Sequence, residues 1–75
     1  MLKYIGDFEK LKEMGFIYRE ETKDDYEAYY IDIREGCCLT RVVIYPHSRK
    51  IYIVGGCYDI LYDLIKEGLI KKVEE

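Results

Sequence analysis

Apolar and polar residues alternate along the middle of the chain in a pattern that predicts four β-strands. We place these strands at residues 16–21, 26–34, 39–45 and 50–54, each rich in tyrosine, isoleucine or valine. The three gaps between them are four residues long, and each is polar or contains glycine or proline. Such short connections join antiparallel neighbours, because a parallel crossover needs about a dozen residues. The pattern therefore predicts a four-stranded antiparallel meander.

The residues that flank each gap fix the register of this predicted sheet. Counting outward from the turns gathers eight apolar or aromatic residues in two rows on one face. The rows are Phe16, Ile31, Val42 and Ile53, then Tyr18, Tyr29, Ile44 and Ile51. A shift of one residue would scatter these side chains over both faces. This face is the predicted core.

A helix is predicted at each end of the meander. Asp7 and Asp59 are the expected N-caps, and Gly15 and Gly68 are the expected left-handed residues of two Schellman endings. The prediction is one α+β domain over residues 1–75, with element order α-β-β-β-β-α and both helices packed on one face. The pattern does not decide whether residues 69–73 add a fifth strand.

The other face of the predicted sheet stays uncovered, because two short helices cover only one side. An apolar row rimmed by charge is typical of a protein-binding patch or a homodimer interface. A solvated sheet that tolerates cross-strand aromatic residues explains the same row, and both interpretations remain open at this point. The partner-binding residues predicted on this face are Ile17, Tyr30, Val43, Tyr52, Arg34 and Arg41.

Charge and aromatic content narrow the class of partner. The chain has 12 lysines and arginines against 15 acidic residues, a net charge of −3, which disfavours nucleic acid because phosphate binding depends on excess cations. A module for RNA or single-stranded DNA that uses the tyrosine and arginine face is kept as an alternative. Nine tyrosines and no tryptophan suit an interface, because tyrosine offers both an aromatic ring and a hydroxyl.

Acidic residues cluster at the first predicted hairpin. The cluster lacks the spacing of a calcium-binding loop, so we predict no cation site there. As a charge mimic it gives a third hypothesis, an inhibitor that binds a host defence protein. Its members are Glu20, Glu21, Asp24, Asp25 and Glu27.

The sequence contains no recognisable catalytic, metal or cofactor motif, so we expect a non-enzymatic protein without a small-molecule substrate. Adjacent Cys37 and Cys38, with Cys57 and His47, lack the knuckle spacing of a zinc site. We expect these cysteines to be buried or partly buried free thiols. Because neither a signal peptide nor an apolar run of about 18 residues is apparent, we expect a cytoplasmic protein that does not enter a membrane.

Two stretches near the end of the sequence resemble known small proteins. Residues 58–73, YDILYDLIKEGLIKKV, resemble the closing helix of small proteins of unknown role encoded by phages and prophages of Gram-positive bacteria. Residues 48–53, SRKIYI, are similar to a hairpin of the same proteins. The resemblance carries no catalytic residues. It implies a mobile-element accessory gene, a setting in which small acidic domains act as inhibitors or adaptors that bind a host protein.

Overall fold

Strands dominate the computed structural model, which describes residues 2–20, 23, 26–56 and 59–73. A four-stranded antiparallel sheet has the order β2-β3-β4-β5, and β1 and β6 form a two-stranded sheet. The elements are β1 (Leu2–Tyr4), α1 (Phe8–Glu13), β2 (Ile17–Arg19), β3 (Ala28–Glu35), β4 (Cys38–Ile44), β5 (Ile51–Val54), α2 (Asp59–Lys66) and β6 (Ile70–Lys72).

The predicted architecture of one meander flanked by two helices is wrong, because β1 and β6 add a second sheet. These strands pair antiparallel, with Tyr4 opposite Ile70. β1 also reaches the edge of the larger sheet, where Lys3 and Lys50 form an isolated bridge and the Tyr4 N–H donates to the Arg49 carbonyl over 2.8 Å. Each added strand has only three residues, too few for an alternating pattern to be visible in the sequence. Residues 69–73, for which the sequence left a fifth strand undecided, contain β6, which pairs with β1 and does not extend the meander.

Within the larger sheet, the predicted register is confirmed. Ile31 lies opposite Val42, and Val42 opposite Ile53. In the next row, Tyr29 lies opposite Ile44. Val42, Ile44 and Tyr29 are buried, so this face is the core face that the alternation predicted.

Both helices end in the predicted Schellman geometry. The Phe16 N–H donates to the Leu11 carbonyl over 2.9 Å, and the Leu69 N–H donates to the Leu64 carbonyl over the same distance. The glycine before each donor has a positive φ, 100° and 72°. Within the described ranges, neither helix is long and apolar enough to cross a membrane.

One cluster of buried side chains receives residues from both helices and both sheets. Leu11 of α1 and Leu64 of α2 are each 0% exposed, as is Tyr4 of β1. The buried members of the cluster are Tyr4, Leu11, Phe16, Tyr29, Val42, Ile44, Ile60 and Leu64. The smaller sheet is therefore part of the same core and not an appendage.

Asp7 and Tyr4 together fix the start of α1. As predicted, Asp7 is the N-cap, and its side chain accepts the Glu9 N–H over 3.1 Å. The Tyr4 hydroxyl donates to the Asp7 carbonyl over 2.5 Å. The prediction of Asp59 as the N-cap of the second helix is wrong, because Asp59 is the first residue of that helix.

Arg49 joins the β4–β5 turn to the connection between β1 and α1. Its Nη1 donates to the carbonyls of Tyr4 and Gly6 over 3.2 and 3.0 Å. Its guanidinium also lies 4.7 Å from the centre of the Phe8 ring. The turn is thus held against the first strand, which brings Lys50 beside Lys3.

Candidate functional site

The face of the larger sheet opposite the core carries the row predicted for partner binding, and we call it the open face. Strand pairing places Ile17 opposite Tyr30, Tyr30 opposite Val43, and Val43 opposite Tyr52. Ile17 and Tyr52 are 55% and 48% exposed, and the two residues between them are half-buried. The predicted row is assembled and accessible, while its role in binding a partner stays a prediction.

Exposed apolar side chains concentrate on the open face. The structure exposes nine large apolar or aromatic side chains among the residues it describes. Five of the nine lie on this face by strand alternation and position: Ile17, Tyr26, Leu39, Tyr52 and Val54. Such clustering on one side of a small protein is typical of an interaction surface.

Two adjoining depressions indent the open face. The larger has a volume of about 410 Å³ and is lined chiefly by Tyr26, Tyr45, Tyr52, Glu27, His47 and Lys50. The smaller has a volume of about 240 Å³ and includes Arg19, Tyr30, Arg41 and Val43 in its lining. Among the predicted site residues, Tyr52 thus lines the larger depression, whereas Ile17 and Arg34 line neither.

The larger depression is lined by three tyrosines, of which the prediction selected Tyr52 but not Tyr26 or Tyr45. The Tyr45 and Tyr52 rings meet edge to face, with centres 5.5 Å apart and planes at 79°. Tyr26 is 76% exposed and borders both depressions. Tyr45 and Tyr52 point to this side by strand alternation, and Tyr26 lies shortly before β3. Strand alternation in the sequence was enough to predict the position of Tyr52. The position of His47 at the rim depends on turn geometry, which the sequence does not reveal.

Arg41 and Asp32 lie opposite each other as a cross-strand pair on the open face. Arg41 Nε and Nη2 donate to the two carboxylate oxygens of Asp32 over 2.6 and 2.8 Å. These hydrogen bonds hold the pKa of the Asp32 carboxyl below its usual value. The guanidinium lies 5.3 Å from the centre of the Tyr30 ring, so Arg41 is fixed in position and covers that ring.

Glu27 links the β2–β3 connection to the β4–β5 turn. The Tyr18 hydroxyl donates to Glu27 Oε2 over 2.5 Å, and His47 Nε2 contacts Glu27 Oε1. Of the acidic cluster predicted as a charge mimic, Glu27 is therefore engaged inside the molecule, and Glu20 is exposed. The remaining members, Glu21, Asp24 and Asp25, lie outside the described residues.

The Tyr18–Glu27 contact predicts an altered titration of one tyrosine. The hydrogen bond to Glu27, with desolvation and nearby negative charge, raises the pKa of Tyr18 from 10.0 to about 12. Because the folded state holds this proton more tightly, the contact stabilises the fold fully below pH 10.0, and the contribution is lost as the pH rises towards about 12.

Absorbance of tyrosinate during an alkaline titration measures this effect. We expect Glu27→Gln to lower the pKa of one tyrosine, and Tyr18→Phe to remove that same step from the curve. Identical titrations of the wild type and the Glu27→Gln variant would contradict the assigned hydrogen bond.

The cysteines that the structure describes do not lie where they were expected. Cys37 and Cys38 are free and exposed, so the prediction of buried or partly buried thiols is wrong for both. Cys37 lies in the two-residue turn between β3 and β4, and Cys38 is the first residue of β4. Cys57 lies outside the described residues. Among the residues placed by the structure, no group of three histidine, cysteine or acidic side chains is arranged to hold a metal ion.

No family model matches the sequence, and no curated protein or solved structure matches the chain. The class of protein is accordingly defined by its own architecture. It is a small α+β domain with two antiparallel sheets and one uncovered, tyrosine-rich sheet face.

Proposed function

We propose that this protein is a non-enzymatic interaction domain that docks a protein partner on its open face. The observation that carries the proposal is the concentration of exposed apolar side chains there, beside the larger depression. Aromatic residues around a concave centre are typical of the few positions that provide most of the binding energy at an interface. The edge-to-face pair of Tyr45 and Tyr52, which we call the tyrosine corner, supplies such a centre.

The charge on the open face favours a different protein over a second copy as the partner. Among the residues that the structure describes, strand alternation assigns four cations to this face, Arg19, Arg34, Arg41 and Lys50, against the acid Asp32, and a second acid, Glu27, lines the larger depression. In a two-fold symmetric dimer the same patch would face itself and bring like charges together. An acidic partner surface complements the patch instead.

Nucleic acid fits the open face less well than protein does. Stacking of bases requires uncovered ring faces and a groove of available cations. The Tyr30 ring lies under the Arg41 guanidinium, and Arg41 is already paired with Asp32. The acid on this face and the net charge of −3 also oppose a continuous polyanion.

The proposed setting is the cytoplasm of a Gram-positive host, as an accessory protein of a phage or prophage. The exposed free thiols of Cys37 and Cys38 support a reducing compartment, where such groups persist. The phage setting is supported by the resemblance of residues 48–53 and 58–73 to small phage proteins. In this setting the partner is a host protein.

Replacement of the open-face tyrosines tests the proposal. We expect Tyr52→Ala and Tyr30→Ala each to weaken association with the partner about fivefold or more, because truncation of a tyrosine that anchors an interface costs more than about 1 kcal/mol. The far-ultraviolet circular dichroism should be unchanged. A photo-crosslinking amino acid at position 52, introduced in host cells, identifies the partner, and purified components then give the dissociation constant.

The exposed helix residue Tyr62 provides a matched control. It is 66% exposed and lies on α2, away from the open face, so Tyr62→Ala should leave binding unchanged and a crosslinker at position 62 should not capture the same protein. If positions 52 and 62 capture the same proteins, or if Tyr52→Ala binds the purified partner with wild-type affinity, the open face is not the docking surface.

A further inference from the structure

Three lysines lie side by side at the junction of the two sheets, Lys50 just before β5, Lys3 in β1 and Lys71 in β6, and we call them the lysine row. Lys3 is opposite Lys50 in the bridge between the two sheets and opposite Lys71 in the β1–β6 pairing. Residues directly opposite each other in antiparallel strands project to the same face, with Cβ atoms about 4.5–5.5 Å apart. Because the neighbouring Tyr4 is 0% exposed in the core, this face is the one away from the core.

The lysine row has no acid to balance it within the part of the chain that the structure describes. The salt bridges found there involve other cations, and none joins an acidic side chain to Lys3, Lys50 or Lys71. Like charges placed directly opposite each other in a sheet are destabilising. A bound anion would relieve this repulsion, so the row is suited to a ligand with negative charge.

The lysine row leads into the larger depression of the open face. Lys50 lines that depression, and its carbonyl accepts the Tyr45 N–H over 3.1 Å. The tyrosine corner therefore begins directly beside the last cation of the row. A volume of about 410 Å³ lies within the usual range of about 300–1,000 Å³ for ligand pockets and has room for an aromatic side chain.

We infer that the lysine row and the larger depression together bind an acidic, aromatic-containing segment of the partner protein. An aromatic side chain of that segment enters the tyrosine corner, and the carboxylates beside it lie on the lysine row. This inference rests on the proposed function and adds the chemistry of the segment recognised.

The charges at the site favour a peptide with separate carboxylates over a cationic ligand or a nucleic-acid strand. A cationic ligand would be repelled by Lys50. The nearby carboxylate of Glu27 would attract it little, because that group already bonds Tyr18 and His47. A nucleic-acid strand carries a charge at every phosphate, so it would pass over Glu27 as well. A peptide carries carboxylates at only some of its residues, so they can lie beside the lysine row without facing the carboxylate of Glu27.

Nuclear magnetic resonance titration with short peptides tests the inference on the full chain. The probe is a capped peptide with the central sequence aspartate–phenylalanine–aspartate, compared with lysine–phenylalanine–lysine, aspartate–alanine–aspartate and a short oligothymidine. We expect only the first to shift the amide signals of Tyr45, Lys50 and Tyr52 strongly, with weak affinity that falls as salt is added.

Two lysine variants with the same net charge separate the effect of a charge at the site from the effect of the overall charge of the protein. Lys50→Gln should weaken binding of the acidic phenylalanine peptide about two- to fivefold, and Lys66→Gln on α2 should not. Equal binding of the lysine peptide or the alanine peptide, equal effects of the two variants, or preferential binding of oligothymidine would each overturn the inference. If the acidic peptide fails while a partner captured through position 52 binds the Tyr52→Ala variant more weakly than the wild type, the inference fails and the proposed function stands.

Discussion

Replacing Tyr4 with alanine is expected to lower the free energy of unfolding by about 3–5 kcal/mol, a large share of the stability of a domain this small. Tyr4 is 0% exposed, and its ring lies 5.8 Å from that of Phe8. Its hydroxyl donates to the Asp7 carbonyl at the start of α1. The substitution removes the one core side chain of β1 and leaves a cavity between the two sheets.

Urea denaturation followed by circular dichroism measures this loss. Tyr4→Phe keeps the ring and removes only the hydrogen bond, so it should cost about 0.5–1.5 kcal/mol. Tyr62→Ala, which truncates an exposed tyrosine, should change stability by less than about 0.5 kcal/mol. A Tyr4→Ala variant as stable as Tyr62→Ala would show that β1 does not pack into the core.

The second large effect is expected at Gly55, just after β5. Its φ is 123°, and a Cβ added there would lie 2.5 Å from the Leu39 carbonyl oxygen and 2.7 Å from Thr40 Cα. Both atoms belong to the backbone of β4, which cannot move without disturbing the sheet. Gly55→Ala should therefore destabilise the domain by about 2–4 kcal/mol through backbone strain and steric overlap.

Gly36 is the matched control for Gly55. It also has a positive φ, 60°, but nothing lies within 4 Å of an added Cβ. Gly36→Ala should consequently cost about 1–2 kcal/mol, the penalty of a left-handed conformation alone. Equal losses in the two variants, measured by urea denaturation, would mean that the approach of β4 to Gly55 is not as close as the structure places it.

The register of the larger sheet was predictable because many residues contribute to it at once. Eight side chains in two rows require the same alignment, and short turns restrict the partners of each strand. The Schellman endings were predictable for a similar reason, since Gly15 and Gly68 each follow an apolar helix position at the required spacing. These features depend on residues close together in the chain.

The second sheet and much of the site depend on residues far apart. Ile70 was a plain apolar residue in the sequence, and only its pairing with Tyr4 makes it part of a strand. The predicted row through Tyr30 and Tyr52 lies on the open face, but the depression beside it depends on the turn that Arg49 holds against β1. The lysine row could not be predicted for the same reason, because its members come from three distant segments of the chain.

The pairing of β1 with β6 also sets an order on folding. Leu2 and Lys72 lie opposite each other although they are seventy residues apart in the chain, a contact of very high sequence separation. Such contacts form slowly, because the entropy of closing a long loop is lost before the pairing compensates for it. The β2–β5 meander can form from neighbouring hairpins, whereas the β1–β6 sheet needs two segments from far apart in the chain. The lysine row is therefore complete only once β6 has paired with β1, because Lys71 joins it through that pairing.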